Sequence, residues 1–305
     1  MRLGTRRSAL ALAQAELVAA MLGDVEIVPL ATGGDAGAGP DDKSRWVDGL
    51  ERALLAGEID LAVHSAKDLP IDLAPGLELL GAPARAGAED VLCGTGALAE
   101  LPAGARVGTS SLRRIAQLRS ARPDLEVAPV RGNVDTRLAK LANEDAAGER
   151  FDAIVLARAG LQRLGREREA GAVLDTERFV PAPGQGALAI EGRDSDEDAR
   201  RAAQAICDEP TLRALRAERA LARELGADCH TPLGAHAAAT DDGLRLRGWV
   251  GLPDGSAWAV DELDGEAARP EELGASVAGR LRAVGAVELL HSAREMALQQ
   301  AGDAR

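Results

Sequence analysis

Short runs of β-branched and aliphatic residues alternate along the first 180 positions with stretches that repeat apolar residues at helical spacing. Each run ends in a small polar turn. Arg2-Leu3 leads into "GTRRS" and a helix predicted from Ala9 to about Leu22. Ile59 to Val63 leads into "HSAKD". Val107 leads into "GTSSLRR" and a helix to about Ala121, with Ser110 or Ser111 as its N-cap. Pro129-Val130 leads into "RGNVDTR" and a helix to about Ala142. Ala153 to Leu156 leads into "ARAGLQRLG". Strands alternating with helices predict βαβ units and largely parallel sheets. Asp35 to Ser44 has no periodicity and reads as a loop.

The pattern breaks near "PARAGA" (83–88) and again at "PAPGQGALAIE" (181–191), which reads as a crossing back between two lobes. The predicted division is lobe 1 at 1–84 with 187–205, lobe 2 at 88–181 and a small α+β domain at 209–305. In the last, a helix from Thr211 to Leu225 precedes strands near Ala235–Thr240, Leu244–Val250 and Ala257–Glu262, with helices from Pro270 onward.

Charge changes the picture. The 305-residue chain carries a net charge of −13 and only 2% aromatic residues, with no tyrosine. An acidic surface repels nucleic acid and anionic membranes, and base-stacking platforms are scarce. Yet Arg106 to Arg137 holds seven arginines against Asp124, Glu126 and Asp135. These arginines stand at strand ends, where ligands of parallel sheets bind. Arg113 and Arg114 fall in the first turn of a helix, a place that disfavours cations unless an anion joins them. Arg6, Arg131 and Arg137 repeat the arrangement. Converging guanidinium forks predict a ligand with several carboxylates. Phosphate is the other candidate, although no "GxxxxGK[ST]" loop is present.

Lys67 and Asp68 close an apolar strand. Among so many cations a carboxylate cannot bind an anion; it can accept N–H bonds or stabilise a developing cation. His64, within that strand, reads as structural. Cys93, Cys207 and Cys229 are three unclustered cysteines, which fits a reducing cytosol. Cys93 and Cys207 read as core residues. Cys229 sits in "GADCHTPLG", where the thiol could pack, react or carry an attachment. The cysteines and His64, His230, His236 and His291 show no metal-ligand spacing, so no metal is expected. Arg6-Arg7 before an apolar run imitates an export signal, but Gln14 and Glu16 interrupt it. No run reaches membrane-spanning length.

"HSAKDLP", "GTSSLRR", "RGNVDTR", "AGLQRLG", "PAPGQGALAIE" and "GADCHTPLG" together resemble the porphobilinogen deaminase family in order and spacing, over nearly the whole chain. The resemblance implies an α/β fold: two lobes like those of periplasmic binding proteins plus a small C-terminal α+β domain. It implies a monomeric, cytoplasmic enzyme that joins four porphobilinogen molecules head to tail and releases ammonia. It also implies a dipyrromethane cofactor bound through a thioether to Cys229. By motif match, Arg113, Arg114, Arg131, Arg137 and Arg163 hold acetate and propionate groups. Arg6 and Ser8 act at the reacting ring, and Thr109, Ser110 and Ser111 add hydroxyl contacts. Lys67 holds a cofactor carboxylate, Gln185 lies near the crossing, and Asp68 is the catalytic group. The chain departs from the family at Lys43-Ser44-Arg45-Trp46, where a Lys-Gly-Leu-Phe run is usual. It departs again at Arg158, an extra strand-end arginine that is either a carboxylate contact or a surface pair. Two rival readings are a non-enzymatic two-lobed anion-binding protein and a cysteine hydrolase using Cys229 and His230.

Overall fold

The computed structural model describes residues 1–31, 44–142, 150–228 and 231–303, with side chains omitted at 44–46 and 300–303. The expected loop from Asp35 therefore lies outside the described residues as far as Lys43, and Ser44 opens a helix.

The strands are β1 (Arg2–Arg6), β2 (Glu26–Leu30), β3 (Leu61–Ser65), β4 (Leu77–Gly81), β5 (Asp90–Cys93), β6 (Arg106–Gly108), β7 (Glu126–Ala128), β8 (Ala153–Ala157), β9 (Ala172–Leu174), β10 (Leu188–Arg193), β11 (Leu233–Thr240), β12 (Gly243–Gly251) and β13 (Trp258–Gly265). The helices are α1 (Ala9–Leu22), α2 (Ser44–Leu55), α3 (Leu112–Ala121), α4 (Val134–Ala142), α5 (Arg158–Arg163), α6 (Glu197–Ala205), α7 (Glu209–Glu224), α8 (Pro270–Ala283) and α9 (Ala286–Asp303).

They form three sheets. The first runs β2-β1-β3-β10-β4, the second β7-β6-β8-β5-β9 and the third β11-β12-β13. Two α/β lobes and a small C-terminal α+β domain follow from this order. The sheets are mixed rather than largely parallel. β10 runs antiparallel to β3 and β4, and β5 runs antiparallel to β8 and β9. The continuous burial of β3, β5 and β8 shows why the hydrophobic pattern missed this. A strand covered on both faces reads the same in either direction. The parallel segments are β2-β1-β3 and β7-β6-β8. Their carboxyl ends carry the polar turns.

Helix α7 joins the first lobe to the third domain. It buries Leu212 and Leu215 with Ala66, Ala82 and Ala189 of the first lobe. It buries Ala217 and Leu221 with Ala235, Leu246 and Val277 of the third domain. That two-sided role explains why it lacks a broad solvent face. Asp208 caps it by accepting from Thr211 N at 2.9 Å, with Pro210 in the first turn, so it starts two residues before the sequence-based boundary.

Candidate active site

The site is assembled from strand ends upward. At the end of β1, Ser8 caps α1 by accepting from Ala11 N. At the end of the neighbouring parallel strand β3, Ala66–Asp68 form one 3₁₀ turn that presents Lys67 and Asp68, both half-buried. In the second lobe, Ser111 caps α3, which settles the choice between Ser110 and Ser111. The Ser110 hydroxyl donates to Val130 O at 2.9 Å, and buried Thr109 accepts from Ser111 N at 3.2 Å. Arg131 is exposed, with no carboxylate partner among the described residues. Arg137 donates from Nε to Gly132 O at 2.8 Å.

The two lobes bring these turns together. A methyl group placed on Gly160 of α5 would lie 3.9 Å from Leu10 Cδ2, near the start of α1, and 4.0 Å from Val134 Cγ2, at the start of α4. Leu10, just after the Arg6–Ser8 turn, and Val134, within the Arg131–Arg137 segment, thus both approach α5, the helix that ends at Arg163.

The crossing ties the two lobes together. Gln185 is fully buried. Its amide donates to Ala88 O at 2.7 Å and to Asp90 Oδ1 at 2.8 Å, and its Oε1 accepts from Lys67 Nζ at 3.4 Å. Asp90 in turn binds Arg113 at 2.8 Å and Arg114 at 2.7 Å. Arg113 also donates to Val180 O and Gln117, and Arg114 to Val155 O. A continuous polar path therefore links Lys67 of the first lobe to the α3 arginines of the second. The anion demanded by two arginines in a first helical turn is supplied here by the chain itself. Burial alone would raise the Asp90 pKa. The two guanidinium charges and their hydrogen bonds outweigh it and hold the carboxyl well below the usual carboxylate range. Two cations on one carboxylate leave one positive charge in surplus.

Arg163 differs. It donates to Gly186 O at 2.6 Å and has no carboxylate partner among the described residues. Burial pushes its guanidinium down to about 10. A desolvated cation without a counter-ion favours an anionic ligand. Arg158 instead pairs with Glu89 at 3.0 Å, which resolves it as a part-exposed intramolecular pair.

Sequence reasoning missed the groups that hold this frame. Asp90 heads a buried apolar strand, and that placement was the one available signal. Glu218 of α7 is fully buried. It accepts from Arg85 at 2.6 Å, from Gly184 N at 2.6 Å and from Ala237 N at 2.8 Å. Arg219 donates to Pro70 O and Ile71 O, both at 2.7 Å, just after Asp68. His64 Nε2 lies 2.8 Å from buried Glu191 Oε2, in keeping with its structural reading.

Cys93 is buried, and burial pushes its thiol up to about 11, as suits an unreactive core residue. Cys229 and His230 lie outside the described residues. Their neighbours Asp228 and Thr231 are tied together, Asp228 N donating to Thr231 Oγ1 at 2.9 Å and Thr231 Oγ1 to Asp228 Oδ1 at 2.6 Å. Among the described residues, no group of three His, Cys, Asp or Glu could hold a metal ion.

The class defined here is a two-lobed α/β protein whose crossing joins a lysine turn of one lobe to buried arginines of the other, with a third domain clamped to that crossing. The chain belongs to the porphobilinogen deaminase family. Residues 1–201 match the family model described as "Porphobilinogen deaminase, dipyromethane cofactor binding domain", and residues 212–283 match "Porphobilinogen deaminase, C-terminal domain". The porphobilinogen deaminase of Thermus thermophilus is 45% identical over 300 residues, covering 95% of this chain and 98% of that one. That of Thiobacillus denitrificans is 43% identical over 301 residues, covering 94% and 97%. Among solved structures, the periplasmic VFT2 domain of Bordetella pertussis BvgS is 16% identical and covers 67% of this chain and 86% of that one, with a TM-score of 0.36. A likeness that slight carries no weight beside the strand order.

Proposed function

We propose that this chain condenses four porphobilinogen molecules head to tail into hydroxymethylbilane and releases one ammonia at each addition. The observation that supports the reading is the polar path that runs from Lys67, the neighbour of Asp68, through Gln185 and Asp90 to Arg113 and Arg114 of the other lobe. Each porphobilinogen brings two carboxylates, and the cationic surplus answers them.

The residues fit a dipyrromethane with its four carboxylates. Arg163 is desolvated without a counter-ion, and Arg131 has no carboxylate partner among the described residues. Arg131, Arg137 and Arg163 would take ring carboxylates directly. Arg113 and Arg114 would add their shared surplus charge, and Lys67 would hold a cofactor carboxylate while Gln185 orients it. Arg6 and the N-termini at Ser8 and Thr109-Ser110-Ser111 would receive the incoming ring's acid groups. Cys229 would be the thioether anchor. When bound, the dipyrromethane supplies a pyrrole with a free α-carbon, the nucleophile that starts the chain.

Asp68 would accept hydrogen bonds from pyrrole N–H groups and stabilise the cation left when a substrate ring loses ammonia. It would then help remove the α-proton after carbon–carbon bond formation. We further propose the lobe limits 1–84 with 187–205 and 88–181, the third domain at 209–305, and a monomer working in the cytoplasm without nucleic acid or membrane. The net charge of −13 supports the last point. No described helix is long and apolar enough to cross a membrane.

Intact mass after denaturation tests the reading. Wild type should be heavier than its sequence by two pyrrole units, and Cys229→Ser should lack that increment. Asp68→Asn should keep the increment but turn over roughly 10²–10⁴-fold more slowly. Wild type at its bare sequence mass would overturn the tether, and near-normal turnover would remove Asp68 from its role.

A further inference from the structure

A cavity open to solvent lies where the third domain packs on the second lobe, away from Lys67, Asp68 and Gln185. Its volume is about 270 Å³, and its walls include Glu177, Arg178, Arg247, Trp249, Trp258 and Val260. Strand alternation places Arg247 and Trp249 of β12 on one sheet face with Trp258 and Val260 of β13, Trp249 standing opposite Val260. A Cβ on Gly251 would lie 2.4 Å from the Trp249 ring and 3.1 Å from Trp258 Cβ, so glycine leaves room for the Trp249 ring on this face. The β12–β13 turn rests on α3. Arg119 donates to Pro253 O at 3.0 Å, and a Cβ on Gly255 would come within 2.6 Å of Ser120 N.

The charges are mixed. Arg178 is exposed and has no carboxylate partner among the described residues; its nearest aromatic neighbour is Phe179, 6.0 Å from the ring centre. Arg247 pairs with Glu262 at 3.2 Å, while its buried Nε makes no hydrogen bond among the described residues. Glu177 is exposed beside them. A lining with two cations, Arg178 and Arg247, and one carboxylate, Glu177, suits a ligand that carries both signs better than a plain polyanion. The indoles supply a flat apolar wall, and Trp258 is half exposed toward it. The volume is of the size of one ring with short arms.

We propose that this cavity is a peripheral site for a single-ring aromatic zwitterion bearing carboxylates and an ammonium, the chemistry of porphobilinogen itself. The ring stacks on Trp258, the exposed Arg178 takes the carboxylates, and Glu177 takes the ammonium. The proposal rests on porphobilinogen being the substrate. Gln117 also lines the cavity, and it accepts from Arg113 at 3.2 Å and donates to Val180 O at 3.1 Å. An occupant would therefore bridge lobe 2 to the third domain, and excess substrate would slow turnover.

Equilibrium dialysis of the holoenzyme with the aminoethyl homologue of porphobilinogen tests the site. That probe keeps both carboxylates and the ammonium but cannot expel ammonia to give a methylene-pyrrole. Wild type should bind one equivalent more than Arg178→Glu. Trp258→Ala should weaken the extra equivalent about tenfold, and Glu177→Gln about fivefold. At low porphobilinogen all three variants should keep wild-type kcat/KM, and the fall in rate at high substrate should vanish in Arg178→Glu. Equal stoichiometry in wild type and Arg178→Glu would overturn the site. An extra equivalent with an unchanged rate profile would overturn the coupling. A holoenzyme that does not consume porphobilinogen at all would instead count against the substrate reading.

Discussion

A carboxylate at 1% exposure between two guanidiniums stabilises the fold only while it is ionised. Asp90 is that group, and it also anchors Gln185. Asp90→Asn would leave Arg113 and Arg114 buried around a neutral amide. Removing one partner of a buried ion pair costs about 3–5 kcal/mol, which urea unfolding would register as a lower midpoint. The pH dependence has a definite sign. The folded pKa of Asp90 lies below its unfolded value of 3.8, so its contribution is complete above that pH and is lost as pH falls toward the folded value. The stability gap between wild type and Asp90→Asn should be flat from pH 5 to 7 and narrow below about pH 4. A gap that stays constant down to pH 3 would mean that Asp90 is not ionised against the arginines.

Elements were legible where a local signal marks them. Ser111, one of the two cap candidates, caps α3 through its own side chain, and the strand runs are visible as apolar blocks, whereas the Asp208 cap that starts α7 was not read. The direction of β10 and β5 was not legible, because it is set by the crossing and the lobe junction rather than by residues within the strands. The crossing also supplies a constraint on catalysis. Gly184 adopts φ +75°, and a Cβ there would lie 2.9 Å from Ala66 C and 3.0 Å from Lys67 N. Gly184→Ala should therefore cost about 1 kcal/mol in backbone strain and also push on the turn that presents Lys67 and Asp68. Gly104 is a matched control, with φ +76° and nothing within 4 Å of its Cβ position. Gly104→Ala should lose only the backbone-strain part with unchanged kcat, whereas Gly184→Ala should lose more stability and lower kcat severalfold. Equal kcat in the two variants would show that the close approach to the turn has no catalytic consequence.

At the scale of the whole molecule, the arginines were legible as a cluster, but their partners were not. Asp90 lies 23 residues before Arg113, Glu218 lies 133 after Arg85, and no local pattern joins such pairs. Glu218 decides how the third domain holds the crossing. One carboxylate accepts from Arg85, from Gly184 N in the crossing and from Ala237 N in the third-domain sheet. Arg85 has more recourse, since it also donates to Gln185 O and is partly exposed. Glu218→Ala strands three donors in a dry site, while Arg85→Ala removes one donor set and leaves Glu218 with two backbone partners. Glu218→Ala should thus be the more damaging change, by about 3–5 kcal/mol against wild type. The double variant should be less damaging than the sum of the singles. Turnover should fall with Glu218→Ala at temperatures where the protein remains folded, because Gly184 bears on the Lys67–Asp68 turn. If Arg85→Ala proves as damaging as Glu218→Ala, the ion pair alone carries the junction, and the two backbone hydrogen bonds that tie the crossing to the third domain add nothing measurable.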